Sequence, residues 1–332
     1  MSSAVLLPAS FAILLSGALL FTNAIEWMGF KLGLGQGAVG SVLAAVATAL
    51  PESLIPVVAI IGGDVGSDDV ATGAILGAPL LLATVALGLV GVAALIYRHR
   101  RPQALSCNVD RRILERDLGF FMGCFSFALL LGLGAPKPLQ VAGAVLLVLA
   151  YLAYVVWTFR HSGPVESEEE LRPLILDTTR SDPPGMATVV LQLAVALGAI
   201  IGGAEIFVEQ VLHVAERANL EPLVLTLVLA PFATELPEKA NSFFWVRDGK
   251  DSLALGNITG AMVFQSTLPV SIGLAFTPWE LDSYAILAGV LALAGGSVAI
   301  LTLQIRRRFS GRAIVMWATF YAIFVMYVVL TA

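Results

Sequence analysis

The sequence predicts an all-α polytopic membrane protein with about ten transmembrane helices in two inverted five-helix repeats. Three observations support this fold class. Apolar residues make up 58% of the 332 residues and charged ones only 13%, where a soluble domain carries roughly 25% charged residues. The apolar residues form runs long enough to cross a bilayer, and one motif occurs once in each half of the chain. This composition excludes a nucleic-acid-binding protein, a disordered regulator and a disulfide scaffold.

Ten apolar stretches of the length that a bilayer requires, about 20 residues, are predicted to be spans. They are 8–29, 36–61, 69–97, 118–135, 139–160, 186–213, 221–245, 251–276, 283–303 and 313–331. The most polar connection contains Glu166 and the run 168–170 and follows the fifth stretch. We therefore expect a first five-helix repeat at 1–160, a cytoplasmic linker at 161–185 and a second, inverted five-helix repeat at 186–332.

Lysine and arginine are distributed unevenly between the loops. Loops that follow odd-numbered stretches hold sixteen of the nineteen cations and those that follow even-numbered stretches hold two, Lys137 and Arg217. Positive charge accumulates on the cytoplasmic side of a membrane protein. The sequence therefore predicts an integral protein of the plasma (inner) membrane with both termini outside. The remaining cation, Lys239, falls inside a span.

Two segments of the chain repeat one another. Residues 32–52 and 218–238 align without a gap and end in the hexapeptides ATALPE and ATELPE. A shorter match follows each of them, GAILGA at 73–78 and GNITGA at 256–261. Each copy belongs to a half of five spans, and an odd number of spans inserts the second half upside down. This arrangement is typical of secondary transporters.

Each hexapeptide places a proline beside a carboxylate within a predicted span. Pro51 and Pro237 free the carbonyl four residues back, a break that persists in a bilayer only where it is buried in protein or lines a wet cavity. Threonines lie one helical turn before the glutamates, on the same face. The four side chains concerned are Thr48, Glu52, Thr234 and Glu238. Their oxygens are hard ligands of the kind Ca²⁺ prefers, so we predict a cation site with Glu52 and Glu238 as metal ligands.

The energetic cost of the buried charges favours a functional role. A charge at mid-membrane costs roughly 2.5–3.5 kcal/mol, so Glu52, Glu235, Glu238 and Lys239 together cost about 10–14 kcal/mol unless they are paired, protonated or ligated. A single Pro-Glu pair is also compatible with a helix kink beside a protonated carboxylate. The occurrence of the same pair at matching depth in both halves of the chain favours a functional role for the two glutamates.

On these residues the chain resembles the cation/Ca²⁺ exchanger superfamily, which contains the sodium/calcium exchangers. That family carries two inverted repeats, each with a Gly-Thr-Ser-x-Pro-Glu motif and, on the next helix, a Gly-Asn-x-x-Gly-Ser-Asn motif. Residues 47–52 and 233–238 match the first motif, and 256–260 match the second. The resemblance implies a secondary active antiporter that exchanges Ca²⁺ for Na⁺ or H⁺ by alternating access.

The resemblance also implies the site. Glu52 and Glu238 would be the central ligands, with Thr48, Thr234 and Asn257 around them. The transported ions are the cargo, so no cofactor is expected, and the partners are inorganic cations and the lipid bilayer. No Ser/His/Asp, Cys/His or His-Glu-x-x-His constellation occurs, so no enzymatic activity is expected.

The chain departs from the family pattern at several positions. In the first repeat, Ala74 and Pro79 stand where the family has asparagine, and in the second repeat Glu235 replaces serine and Met262 replaces asparagine. The lost oxygen ligands leave three functions open. These are Ca²⁺ antiport, Na⁺/H⁺ antiport, and a non-transporting membrane sensor or scaffold built on an exchanger fold.

Lys239, directly after Glu238, fits a cation site least well. Glu235 precedes it by four residues, which is the favourable order for an ion pair on one helix face. We hypothesise that the two neutralise each other beside the ion path, with Glu235 as an ion-site residue. Gln265 lies about two turns past Asn257, on the same face. Lys239 and Gln265 are therefore predicted to modulate the site.

Overall fold

The computed structural model of the chain describes residues 3–31, 50–109, 111–161, 173–177 and 183–331. Within these ranges every regular element is a helix, apart from one isolated antiparallel bridge between Ser106 and Arg308. The all-α prediction is confirmed for this part of the chain.

The described residues form twelve α-helices, numbered here in chain order. They are α1 (Ser3–Lys31), α2 (Leu50–Gly62), α3 (Ser67–Leu81), α4 (Leu87–Ile96), α5 (Arg111–Leu131), α6 (Lys137–His161), α7 (Met186–Ala218), α8 (Pro222–Arg247), α9 (Asp251–Gln265), α10 (Leu268–Phe276), α11 (Ser283–Ala299) and α12 (Gly311–Thr331). One π-helical segment, Leu82–Ala86, joins α3 to α4, and another, Ile300–Ile305, extends α11.

Seven helical segments in the described part of the chain are long and apolar enough to cross a membrane. They are Val5–Met28, Ser67–Ile96, Lys137–Thr158, Met186–Ala218, Asp251–Phe276, Ser283–Ile305 and Gly311–Thr331. Shorter apolar helices occur at Glu52–Gly62 and Pro222–Phe232. The chain is an integral membrane protein.

Contacts between the loops divide them into two sets. In the first set, Gln103 Nε2 donates to the Gly249 carbonyl (2.9 Å), and the Phe309 amide donates to the Leu105 carbonyl (2.8 Å). In the second set, the Leu281 amide donates to the Gly132 carbonyl (3.2 Å). The loops joined in this first set all follow odd-numbered stretches, where the charge count places most of the lysines and arginines. Its cytoplasmic location stays a prediction.

Helices α1 and α7 pack along one another at one side of the bundle. Their contact depends on small residues, because a Cβ added at Gly17 would lie 2.8 Å from Ile200 Cγ1, and one at Gly203 would lie 3.0 Å from Leu14 Cγ. Close approach at glycine is the usual way in which membrane helices associate.

Helix α3 lies at the centre of the bundle and is buried along almost its whole length. It packs against α8 through two glycines. An added Cβ would lie 2.6 Å from the Leu223 carbonyl oxygen at Gly73 and 2.5 Å from the Leu227 carbonyl oxygen at Gly77. The backbones of α3 and α8 therefore touch, and this contact fixes α8, which carries the second hexapeptide, against the core.

Candidate functional site

The first predicted ligand, Glu52, lies in the first turn of α2 and is only 5% exposed. Helix α2 packs against α3 and α7. Pro56, four residues on, has no N–H, so the Glu52 carbonyl lacks its usual helical donor. Glu52 thus presents both a carboxylate and a backbone carbonyl within the bundle. Thr48, its predicted neighbour, lies outside the described residues.

The second hexapeptide lies inside α8. Thr234 and Glu235 are buried, and Thr234 Oγ1 donates to the Ala230 carbonyl (3.0 Å). The side chains of residues 236–241 lie outside the described part of the chain, and Glu238 and Lys239 are among them. The predicted approach of Glu238 to Glu52 and the predicted pair of Glu235 with Lys239 therefore stay predictions.

Two side-chain hydrogen bonds join α9 to α8. Gln265 Nε2 donates to Glu235 Oε1 (2.9 Å), and Asn257 Nδ2 donates to Ser242 Oγ (3.2 Å). The structure thus brings Gln265 to Glu235, and it places both predicted α9 residues against α8. The Gln265 amide holds the Glu235 carboxylate in a fixed orientation.

Ser242 was not identified from the sequence. It is fully buried, and its hydroxyl donates to the Ala254 carbonyl (3.3 Å) while accepting from Asn257. It lies four residues after Glu238 and eight after Thr234, so the i, i+4 spacing on one helix face was the signal that would have found it.

A helix break next to Gln265 was also missed. Helix α9 ends at Gln265 and α10 begins at Leu268, and the two residues between them, Ser266 and Thr267, are fully buried. Pro269 has no N–H, so the Gln265 carbonyl loses its helical donor. The break places polar backbone in the core beside Glu235. A proline within a predicted span, preceded by Ser-Thr, was the available signal.

The corresponding part of α3 is apolar. Ala74, Ala78 and Pro79 are buried and contribute no side-chain oxygen, and Leu82 in the following π-helical segment is fully buried. The structure therefore agrees with the sequence that the first copy lacks the amide ligands of the family pattern at these positions.

The structure thus places carboxylate, amide, hydroxyl and carbonyl oxygens on α2, α8, α9 and the α9–α10 break, and α2 contacts both α8 and α10. Among the described side chains, which do not include that of Glu238, no three His, Cys, Asp or Glu residues lie together as a preformed metal cluster. A mixed set of hard oxygen ligands suits a hydrated alkali or alkaline-earth cation.

Charged groups lie near the loops at both ends of the helix bundle. Near the start of α8, burial raises the pKa of Glu221, and the negative charges of Asp282 and Asp69 raise it further. At the opposite surface, Arg101 Nη2 bonds Asp251 Oδ2 (2.9 Å) with both side chains fully buried. Burial, aided by Asp251, raises the pKa of the Cys107 thiol beside this pair to about 12.

Comparison with known sequences identifies relatives. The family described as sodium/calcium exchanger protein matches residues 2–160 and 188–331. A protein named "Putative antiporter CaxA" from Alkalimonas amylolytica is 27% identical over 281 residues, which is 79% of each chain. "Inner membrane protein YrbG" of Escherichia coli (strain K12) is 25% identical over 283 residues, which is 82% of each chain.

Solved structures share the fold. The H⁺/Ca²⁺ exchanger CAX superposes with a TM-score of 0.72 at 21% identity, covering 100% of this chain and 87% of that one. The sodium-calcium exchanger NCX_Mj superposes with a TM-score of 0.60 at 17% identity, covering 98% of each chain. At these identities the likeness concerns the fold.

Proposed function

This chain belongs to the sodium/calcium exchanger protein family, and from that premise we propose that it is a secondary active antiporter that exchanges Ca²⁺ for Na⁺ or H⁺ by alternating access. The family consists of transporters, so we propose no enzymatic role. The ions are the cargo, and the proposal includes no cofactor.

The proposed architecture is ten membrane passes in two inverted repeats, at 1–160 and 186–332, joined by a cytoplasmic linker. The separation of the loops into two sets supports it, as does the fold shared with CAX. We also propose a plasma (inner) membrane location with both termini outside. The sixteen cations in loops that follow odd-numbered stretches support that orientation, by the tendency of positive charge to stay on the cytoplasmic side.

The proposed site lies between the two repeats. Glu52 and Glu238 are the central ligands, and Thr48, Thr234, Asn257 and Glu235 surround them. The buried carboxylates within the bundle carry this proposal, because an uncompensated charge there is expensive and a bound cation compensates it. Exposure of this site to one side and then the other would couple the opposing ion gradients.

A second candidate, Na⁺/H⁺ antiport, is favoured by one observation. The buried face of α3 offers Ala74 and Pro79 where an exchanger of the family pattern has amide oxygens. Ca²⁺ takes six to eight oxygen ligands, and fewer ligands suit a smaller charge. The two candidates differ in whether Ca²⁺ moves at all.

Ion flux into vesicles containing the purified chain tests both candidates. Gradients of Ca²⁺, Na⁺ and H⁺ are imposed one at a time, with protein-free vesicles as the control. Ca²⁺ flux driven by a Na⁺ or H⁺ gradient is the expected result. Na⁺ flux driven only by H⁺ would replace Ca²⁺ antiport with the second candidate. An absence of flux under every gradient would contradict transport and leave the sensor or scaffold.

A further inference from the structure

A buried carboxylate outside the proposed site accepts a hydrogen bond from α9. The bond leaves α9 on the face opposite α8. Asp117, in the second turn of α5, is only 1% exposed. Thr259 Oγ1 on α9 donates to Asp117 Oδ2 (2.7 Å). Tyr154 Oη on α6 donates to Asp117 Oδ1 (2.7 Å), and Arg116 Nε donates to the same oxygen (2.6 Å). One carboxylate therefore joins three helices.

The two faces of α9 have different partners. Thr259 follows Asn257 by two residues, and two residues turn a helix by about 200°, so the two side chains leave α9 on opposite sides. Asn257 and Gln265 are bonded to α8, whereas Thr259 is bonded to α5. The rotation of α9 about its axis is therefore fixed by hydrogen bonds from both sides.

The groups around Asp117 hold it firmly. The Arg116 guanidinium lies 4.9 Å from the centre of the Tyr154 ring, and Arg116 Nη1 bonds Thr158 Oγ1 (3.1 Å). Beyond Tyr154, Tyr151 packs edge-on against Phe264, the residue before Gln265, with ring centres 5.8 Å apart. The pair α5 and α6 thus forms a rigid support along the α9 face opposite the site.

We propose that Asp117 is a positioning residue for cation exchange: through the Thr259 hydroxyl it sets the rotation of α9, and so the placement of Asn257 and Gln265 at the ion site. This inference rests on the proposed antiport. The Asp117 carboxylate itself does not contact the cation. Charge makes the bond to Thr259 stronger than a neutral hydrogen bond, which suits a contact that must persist while the site changes its exposure.

The test compares four variants that separate this bond from its neighbours. Thr259→Val removes the hydroxyl while keeping the shape, and Thr259→Ser restores the donor. Asp117→Asn keeps the volume but loses charge and one acceptor. Tyr154→Phe is the matched control, because it removes a hydrogen bond from the same carboxylate without touching α9. Vesicle flux gives the half-saturating cation concentration and the maximal rate, and thermal unfolding reports folding.

Thr259→Val and Asp117→Asn are expected to raise the half-saturating concentration about tenfold or more, the scale of one hydrogen bond to a charged group. The maximal rate of Thr259→Val is expected to stay within about twofold, because that variant removes no side chain of the proposed site. Thr259→Ser and Tyr154→Phe are expected to keep the wild-type concentration.

Two results would overturn the inference while leaving antiport in place. One is a wild-type half-saturating concentration in Thr259→Val, and the other is an equal rise in Tyr154→Phe, which would indicate general loosening of the bundle. An absence of flux in wild-type vesicles would instead overturn the proposed function on which the inference rests. Thr259→Val removes no charge, so it remains informative even if Asp117→Asn fails to fold.

Discussion

Helices α3 and α9 carry the two aligned copies of one short sequence segment, but the two copies make different contacts. Residues 73–78 of α3 and 256–261 of α9 align, yet the first segment is apolar and packs by its glycines on α8. The second presents Asn257 to α8 and Thr259 to α5. The copy on α3 packs closely through its glycines, whereas the copy on α9 makes hydrogen bonds through polar side chains.

The difference suggests how a duplicated motif becomes asymmetric. The Gly77 backbone touches the Leu227 carbonyl, so that surface of α3 has no room for a side chain. Helix α9 is bonded by side chains on two faces. In the first repeat, Glu52 is the one charged group among the predicted site residues that the structure describes, and it is buried.

Loss of charge at the central glutamates is expected to have the largest effect. Glu52→Gln and Glu238→Gln keep the side-chain volume but remove the charge that attracts the cation. Each is expected to lower gradient-driven flux about 100-fold or more, equivalent to about 2.7 kcal/mol. Glu209→Gln, which changes an exposed carboxylate of α7, is the control. Full flux in either central variant would remove that glutamate from the site.

The glycine contact of α3 is tested by Gly77→Ala. The added Cβ would lie 2.5 Å from the Leu227 carbonyl oxygen and 2.6 Å from Pro231 Cγ. Overpacking of this kind costs about 1–3 kcal/mol, so we expect a lower melting temperature. Gly123→Ala on α5, where no described atom lies within 4 Å of the added Cβ, is the control. Equal melting temperatures for the two variants would show that α3 does not depend on close approach.

The sequence predicted the membrane class and the burial of Glu52 and Glu235, because these follow from hydropathy and the repeated motif. Asp117 was missed because the predicted span began at residue 118, where the apolar run begins. The helix begins at Arg111. Its charged first turns continue into the bundle because Tyr154 and Thr259 donate hydrogen bonds to the Asp117 carboxylate. Such contacts between distant helices leave no pattern in the local sequence.

The next prediction concerns Glu235 and Lys239 on α8. It tests whether these two residues neutralise each other, as the sequence predicts. Lys239→Ala is expected to alter cation affinity about tenfold, because Glu235 would gain a free negative charge near the path. The double variant Glu235→Ser with Lys239→Ala restores the family residue at the first position and is expected to recover exchange. Half-saturating concentrations and pH profiles measure both. A double variant no better than its more damaged single variant would show that the two residues are uncoupled.

The smallest expected effect concerns Glu221, which lies directly before α8, near the first residues of α3. Burial and then the charges of Asp282 and Asp69 raise the pKa of Glu221. A carboxyl whose pKa is raised by folding stabilises the folded state at low pH, and this stabilisation is lost as the pH rises through the raised value. Glu221→Gln should therefore lose less thermal stability than wild type as the pH rises above the ordinary glutamate pKa of about 4.3. Identical pH profiles would contradict this.

Ion flux measured side by side for Gln265→Leu and Ala74→Ser tests most directly whether α9, and not α3, supplies the polar groups of the cation site. Gln265→Leu makes α9 resemble α3 and removes the donor to Glu235, whereas Ala74→Ser adds a hydroxyl to α3 that its own helix can accept. We predict that Gln265→Leu shifts the half-saturating cation concentration about fivefold or more, and that Ala74→Ser leaves it unchanged. A shift in Ala74→Ser with none in Gln265→Leu would contradict the division between the two helices.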